Sequence, residues 1–155
     1  MKKIGMLERK QFFEDLSNTI KINYPEFCVK DSGVEHFDIY KMGDLPLSVA
    51  MVNVRVIDGY LKDINIFFGN SEAKRIYDCL KDRKDEIELQ LGYKLYWDRN
   101  NAKYATRIGR FGKRFKPLGD YEPYYFELDS KLVASELVKI YNVFIPKVKG
   151  IVNKI

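Results

Sequence analysis

The segment "LSVAMVNVRVIDGYLKDINIFFG", residues 47–69, constrains the fold more than any other part of the chain. Two runs rich in β-branched residues flank Asp58-Gly59, a dipeptide typical of a tight hairpin turn. Because side chains alternate between the two faces of a strand, a shift of the pairing by one residue would exchange buried and exposed positions. The segment therefore predicts a β-hairpin whose register can be decided from the sequence.

Two registers are compatible with this hairpin. A two-residue loop would set Val54 opposite Asp63 and Val52 opposite Asn65, which mixes apolar and polar side chains on each face. A three-residue loop, 58–60, pairs like with like, so we predict that register despite the Asp-Gly signal. The predicted pairs are Val54 with Ile64, Val52 with Ile66, Ala50 near Phe68, Arg55 with Asp63, and Asn53 with Asn65. In a regular strand, Lys62 then points to the opposite face from Asp63.

The segments on either side of the hairpin alternate between helical and extended patterns. Residues 9–25 predict a first helix that ends at Pro25, and residues 34–43 predict a short strand. Two further strands are expected in residues 93–98 and 104–115, because aromatic and β-branched residues recur there.

One long helix is expected between the hairpin and these later strands, over residues 70–92. Asn70 or Ser71 can cap its start, and Gly92 stands where a helix commonly ends in the left-handed conformation. Its apolar residues recur at helical spacing and should face the core. They are Ala73, Ile76, Tyr77, Leu80, Ile87 and Leu91.

The chain closes with a segment, residues 129–155, that predicts a terminal helix kinked at Pro146. One face of it collects Val133, Leu137, Ile140, Tyr141, Phe144 and Val148. The element order is therefore α-β-β-β-α-β-β-α. We predict an α+β fold with a mostly antiparallel sheet of about five strands and three helices.

A length of 155 residues indicates a single domain spanning 1–155, with an apolar fraction of 46% that suits one core. The first residues lack a continuous apolar run, and no window approaches a membrane span, which needs roughly 18 apolar residues. We therefore expect a cytoplasmic protein without a membrane partner. Cys28 and Cys79 belong to no paired motif and His36 is the only histidine, which argues against a Cys/His metal site.

The net charge of +5 is distributed unevenly along the chain. Between Leu91 and Lys116 there are eight basic residues and one acid, Asp98, and aromatic residues interleave with them. Cations beside stacking rings are what single-stranded nucleic-acid binding uses. The residues expected to contact phosphate are Arg99, Lys103, Arg107, Arg110, Lys113 and Arg114.

The competing interpretation of this basic stretch is packing inside the fold. Alternation along the strand sends Tyr93, Leu95 and Trp97 to one face, most simply the core. In the next strand Arg107 shares a face with Phe111, and Ile108 shares the other with Arg110, so at least one arginine leans over apolar surface or pairs with an acid. We predict a structural clasp, a partly buried ion pair at the junction of helix and strand, formed by Glu88, Trp97 and Arg107.

An enzymatic function has weaker support in the sequence. The order αβββαβ occurs in restriction-type nucleases, which need several acidic residues and a lysine around a divalent metal. The hairpin strands offer only Asp63 among amides and an arginine, and neither a phosphate-binding loop nor a nucleophile elbow is present. We predict no catalytic residue, metal or cofactor. The enzyme that the sequence leaves open is a metal-dependent, nuclease-like one with Glu35, Asp63 or Glu88 as acid–base residues.

The chain resembles a bacterial family known as domain of unknown function 4268. The resemblance lies in "FFEDL", in "INIFFGNSEAKRIYDCLKDRKDEIELQLGYKLYWD" and in "YATRI", and it covers most of residues 9–146. The matching positions are Leu80, Ile87, Glu88, Gly92, Leu95, Trp97, Arg107 and Ile108. The resemblance implies an accessory domain of the kind that follows nuclease-like or DNA-associated domains, with no activity established for it. We expect this chain to depart from that pattern by acting without such a partner domain.

Two binding functions follow as hypotheses. The first is a non-catalytic accessory module whose partner is DNA or RNA. The second is a protein-interaction or oligomerisation domain that uses the terminal helix, in which another protein or a second copy would cover apolar residues. Those residues are Ile145, Val148, Ile151, Val152 and Ile155.

Overall fold

The computed structural model describes residues 4–32, 35–101, 103–112 and 129–153. Within these ranges it contains four helices and six strands. In chain order they are α1 (Met6–Asn23), β1 (Cys28–Asp31), β2 (His36–Tyr40), β3 (Met51–Ile57), β4 (Tyr60–Phe68), α2 (Ala73–Lys81), α3 (Lys84–Leu91), β5 (Tyr96–Asp98), β6 (Thr106–Phe111) and α4 (Ser130–Val152).

The strands form one antiparallel sheet in the order β1-β2-β3-β4-β6-β5. The predicted α+β class is confirmed. The predicted counts are slightly off, since the described residues hold one more strand and one more helix than expected. The extra strand, β1, has only four residues, too few for alternation to stand out beside the following polar turn.

The hairpin of β3 and β4 satisfies two signals that seemed to conflict. Its register pairs Val54 with Ile64, Val52 with Ile66, Arg55 with Asp63 and Asn53 with Asn65, as predicted. The loop nevertheless has two residues, because Ile57 pairs with Tyr60, and the predicted three-residue loop is wrong. Asp58 and Gly59 both have positive φ, 54° and 80° respectively, as a two-residue turn of type I′ requires.

A β-bulge reconciles this tight turn with the register. Val56 pairs with Leu61 and Arg55 with Asp63, so Lys62 is one extra residue in β4. A bulge re-aims the side chain that it carries. The charged neighbours of Lys62 are Arg55, Asp63, Arg107 and Glu35, which places it with Asp63 rather than on the opposite face as a regular strand predicted.

The predicted middle helix is two helices, α2 and α3, separated at Asp82 and Arg83. At the break, Arg83 N donates a hydrogen bond of 2.9 Å to Leu80 O, three residues earlier rather than the four of an α-helix. No Pro or Gly marks the break. Both helices pack against α4, and α2 also contacts β4 and β6. Gly92 ends α3 with φ 85°, the left-handed conformation that favours glycine.

The helices cover one face of the sheet, which is the apolar one. Helix α4 lies against β2, β3 and β4 and also contacts α1, α2 and α3. Asp129 caps it, accepting hydrogen bonds from Lys131 N and Leu132 N. All six apolar residues predicted to share a face of this helix are buried in a single cluster with the inward residues of the strands. In the described ranges, no helix combines the length and apolarity that crossing a membrane requires.

Candidate functional site

The face of the sheet turned away from the helices carries a row of polar side chains, which we call the polar face. It arises because the inward positions of β2, β3 and β4 are apolar, and the pairing registers align the alternate positions of these strands and of β6 with one another. Four of its members are 0–3% exposed: Asp38, Asn53, Asp63 and Asn65. The polar face comprises His36, Asp38, Asn53, Arg55, Lys62, Asp63, Asn65 and Arg107, together with Lys30 opposite Asp38 and Asp98 opposite Arg107.

A continuous chain of hydrogen bonds crosses four strands of the polar face. Arg107 Nε donates to Asn65 Oδ1 at 3.1 Å, and Asn65 Nδ2 donates to Asn53 Oδ1 at 2.7 Å. Asn53 Nδ2 donates in turn to Asp38 Oδ1 at 3.0 Å. The other oxygen of Asp38 lies 3.0 Å from His36 Nδ1. The two amides are thereby fixed with their NH₂ groups toward Asp38 and their oxygens toward Arg107.

A buried ion pair branches from this chain. Arg55 donates from Nε to Asp63 Oδ1 at 2.8 Å and from an Nη to Oδ2 at 2.5 Å. Asn65 Nδ2 donates the third hydrogen bond that this carboxylate accepts, to Oδ1 at 2.9 Å. The side chains of Arg55 and Asp63 are 12% and 0% exposed. Both carboxylate oxygens are therefore engaged, and Asp63 is better suited to hold Arg55 than to bind a metal.

The side chain of Arg107 is held in place, but its hydrogen-bonding groups and its charge are only partly matched by neighbours in the described residues. Its guanidinium carbon lies 4.6 Å from the centre of the Phe67 ring, and only Nε makes a hydrogen bond within the described part of the chain. Burial, and then the nearby charge of Arg55, lower the pKa of Arg107 to about 10, although Asp63 and Asp98 act in the opposite direction. The half-buried cation therefore lacks full compensation for its lost hydration.

Two more groups on the polar face are perturbed in the same environment. Burial and the charge of Arg55 lower the pKa of Lys62. Burial raises the pKa of Asp38, and the hydrogen bonds and charge of Asn53 and His36 offset it only in part. The polar face thus disfavours positive charge at the end that holds Lys62 and Arg107, and negative charge at the end that holds Asp38. An anion placed beside Lys62 and Arg107 would relieve the first of these strains.

The predicted phosphate-contacting residues do not form one surface. Arg107 lies on the polar face. Arg99 lies in the loop after β5 and is bound by both oxygens of Asp78, at 2.9 and 3.1 Å. Lys103 is exposed in the loop before β6. Lys113 and Arg114 lie outside the described residues.

Arg110 lies on the helix side of the sheet, because it is opposite the inward-facing Ile64. Its guanidinium carbon is 3.8 Å from the centre of the Tyr93 ring, and one Nη is 3.6 Å from Glu136 Oε2. Tyr93 also donates its hydroxyl hydrogen bond to Glu136 Oε2, at 2.8 Å. This arginine joins β6 to α4, and the expected alternation of Arg107 and Arg110 between two faces is confirmed.

The predicted clasp is right about where Glu88 lies and wrong about its partner. Glu88 Oε2 accepts hydrogen bonds from Leu95 N at 2.6 Å and from Trp97 Nε1 at 3.3 Å, which ties α3 to β5. Glu88 and Arg107 form no ion pair within the described ranges. The registers explain this: Trp97 is opposite Ile108 and faces the helices, whereas Arg107 is opposite Phe67 and faces away.

Replacing Glu88 with glutamine is expected to lower the free energy of unfolding by about 1 kcal/mol, because an amide oxygen accepts a hydrogen bond less strongly than a carboxylate does. The emission of Trp97, the only tryptophan, reports unfolding directly in urea titrations. Glu86→Gln on the exposed side of α3 is the matched control, with a smaller effect expected. An equal effect of the two substitutions would contradict the assigned role of Glu88.

The residues of the acid–base hypothesis lie in three separate places. Glu35 is exposed before β2, Asp63 is buried on the polar face, and Glu88 lies on the helix side. Among the residues that the structure describes, no three His, Cys, Asp or Glu side chains are grouped so that they could hold a metal ion. The geometry offers no assembled acid–base pair from this set.

The terminal helix uses most of its apolar residues inside the protein. Ile145 and Val148 are buried, and Ile151 and Val152 are half-buried and packed against the same core. Ile155 lies outside the described residues. Of the four described residues that suggested an interaction domain, two are therefore buried and two are partly covered by the core of the protein.

Comparisons with protein-family models, with curated proteins and with solved structures returned no match for this chain. The resemblance to domain of unknown function 4268 stays a prediction.

Proposed function

We propose that this protein is a non-catalytic binding module that contacts single-stranded nucleic acid through the polar face, with Arg107 as the principal phosphate contact. The observation that carries the proposal is the state of Arg107. Asn65 and Phe67 hold its guanidinium, its Nη groups have no hydrogen bond within the described ranges, and its pKa is depressed to about 10. A phosphate oxygen would supply the missing hydrogen bonds and charge.

The surroundings of Arg107 favour a phosphate that belongs to a nucleotide chain. Tyr96, opposite Gly109, is half-buried on the same face, and its ring meets that of Phe111 edge-on at 4.8 Å. A ring held in this way can stack on a base while the neighbouring cation contacts the backbone, an arrangement worth about 1–3 kcal/mol per stacked base. Lys62 adds a second cation near Arg107.

Fluorescence anisotropy with labelled single-stranded DNA and RNA of mixed sequence, over a series of salt concentrations, tests the proposal. We expect salt-dependent binding, and Arg107→Gln should lower the slope of log K against log salt by about 0.7, the value for one phosphate contact on a single strand. Arg99→Gln is the matched control, since Asp78 already occupies that guanidinium. Tyr96→Leu should weaken binding at every salt concentration without altering the slope.

Three results would overturn the proposal in distinct ways. Absence of binding to any strand at low salt would remove nucleic acid as the partner. Equal losses in Arg107→Gln and Arg99→Gln would remove the polar face as the site. Equal affinity for duplex and single strand would remove the stacking role of Tyr96.

A further inference from the structure

A cavity of about 420 Å³ lies beside α4, on the side of the turn that follows β2. Its size falls within the range of small-molecule sites, roughly 300–1,000 Å³. Its polar lining comes from Lys41 and Asp44 on the turn and from Asn142 and Lys149 on α4. The ring of Tyr141 and the side chains of Ile145 and Pro146 supply the apolar part.

Asp44 neutralises one of the two lysines of the cavity. Lys149 Nζ is 2.7 Å from Asp44 Oδ1, and the Tyr141 hydroxyl donates to Oδ2 at 2.8 Å. Burial works against ionisation of Asp44, but the hydrogen bonds from Lys149 and Tyr141 outweigh it and lower its pKa. Asp44 therefore stays ionised and stays paired.

Lys41 is the remaining charge of the cavity. Its ammonium lies 4.9 Å from the centre of the Phe27 ring and 5.8 Å from that of Tyr141, two rings that meet edge-on at 4.9 Å. No carboxylate among the described residues forms an ion pair with it. The rings hold the ammonium at the cavity, and the lining as a whole, with Lys41, Lys149 and Asp44, has one net positive charge.

Pro146 lies inside α4 and lines the same wall of the cavity. Pro146 has no N–H, so it cannot donate to the carbonyl of Asn142 one turn earlier, as a residue inside a helix normally does. The carbonyl of Asn142 therefore lacks its usual helical donor. Both residues line the cavity.

We propose that this cavity binds a small organic monocarboxylate with an apolar body, whose carboxylate pairs with Lys41 and whose body packs on Tyr141, Ile145 and Pro146. A single negative charge matches the net charge of the lining. A phosphate dianion fits less well, because Asp44 would repel its second charge. The site is independent of the polar face, which lies on the other side of the sheet.

The test is a titration of the ¹⁵N-labelled protein followed by amide shifts, with benzoate and butyrate as probes and with benzamide and inorganic phosphate as controls. We expect saturable shifts at Lys41–Asp44 and at Asn142 with the two carboxylates, at concentrations up to about 10 mM, the weak range for ligands of this size. Benzamide and phosphate should leave these signals in place. Lys41→Met should weaken binding at least about tenfold, and Lys10→Met on the exposed side of α1 should not.

Asn142→Trp provides a second variant, because Asn142 is exposed at the cavity rim and a larger side chain there fills the space without entering the core. It should abolish the shifts while the melting temperature stays close to that of the wild type. The proposal is overturned if no saturable shift occurs, if Lys41→Met binds as the wild type does, if Asn142→Trp still binds, or if phosphate shifts the same signals as strongly as benzoate.

Discussion

Replacing Asp63 with asparagine is expected to lower the free energy of unfolding by about 3–5 kcal/mol, the usual cost of removing one partner of a buried ion pair. The substitution leaves Arg55 without its charged partner. The side chain of Arg55 is only 12% exposed, and it directs two hydrogen bonds at Asp63. The substitution also removes an opposing charge from beside Arg107, which is already poorly compensated. Urea unfolding followed by the emission of Trp97 measures the loss.

The chain contains its own control for this prediction. Asp78 and Arg99 form the same two-point contact on the surface, with side chains 54% and 43% exposed. Asp78→Asn should therefore change stability far less than Asp63→Asn, because water replaces the lost partner. The double variant Arg55→Met/Asp63→Leu should recover part of the loss. Similar losses at the exposed and buried aspartates would refute the importance of burial here.

Replacing Gly109 with alanine is expected to lower the free energy of unfolding by about 1–3 kcal/mol, as forced overpacking of a tight site does. A Cβ atom at Gly109 would lie 2.7 Å from Asn65 Cβ and 2.9 Å from the backbone oxygen of Ile64. Neither neighbour can withdraw freely, since Asn65 is fixed by its hydrogen bonds and Ile64 belongs to the central strand. The reason for glycine here is close approach, not an unusual φ.

Gly150→Ala is the control for this substitution. A Cβ at Gly150 meets nothing within 4 Å, and the residue lies within α4, so alanine should be neutral or stabilising by about 0.5–1 kcal/mol. Urea titrations of both variants give the comparison. If Gly109→Ala were as stable as the wild type, the packing of β4 on β6 at this point would have to be looser than the structure gives.

The sequence was sufficient for the parts of the fold that depend on strong alternation or helical spacing. The pairing of β3 with β4 followed from matching apolar with apolar side chains, and the buried face of α4 followed from its spacing. The bulge at Lys62 was not predicted. It becomes evident only when the two-residue turn and the pairing of Arg55 with Asp63 are known together, because one residue of β4 is then left over. The break between α2 and α3 was not predicted, because no Pro or Gly marks it and apolar residues continue at helical spacing on both sides of it.

The candidate site was predictable only in pieces. The hairpin register brought Arg55 to Asp63 and Asn53 to Asn65, but their connection to Asp38 and Arg107 depends on β2 and β6, whose registers the sequence left undetermined. The apolar residues Phe37 and Ile39 flank Asp38 in β2, and this alternation could have predicted that Asp38 faces away from the helices. Glu88 was assigned the wrong partner because the alternation of β6 fixes which residues share a face, not which face meets the helices.

The orientation of Asn53 and Asn65 has a consequence for how the sheet responds to change. Each amide has one donating end and one accepting end, so half a turn of either one alone would set like ends against each other at both of its contacts. Reversing both amides together would still fail, because Arg107 can only donate and the ionised Asp38 carboxylate can only accept. The two ends of the chain therefore fix the direction of every hydrogen bond between them. We expect a change at the Arg107 guanidinium to alter the hydrogen bonding of the Asp38 carboxylate, three strands away, by polarising the amides between them.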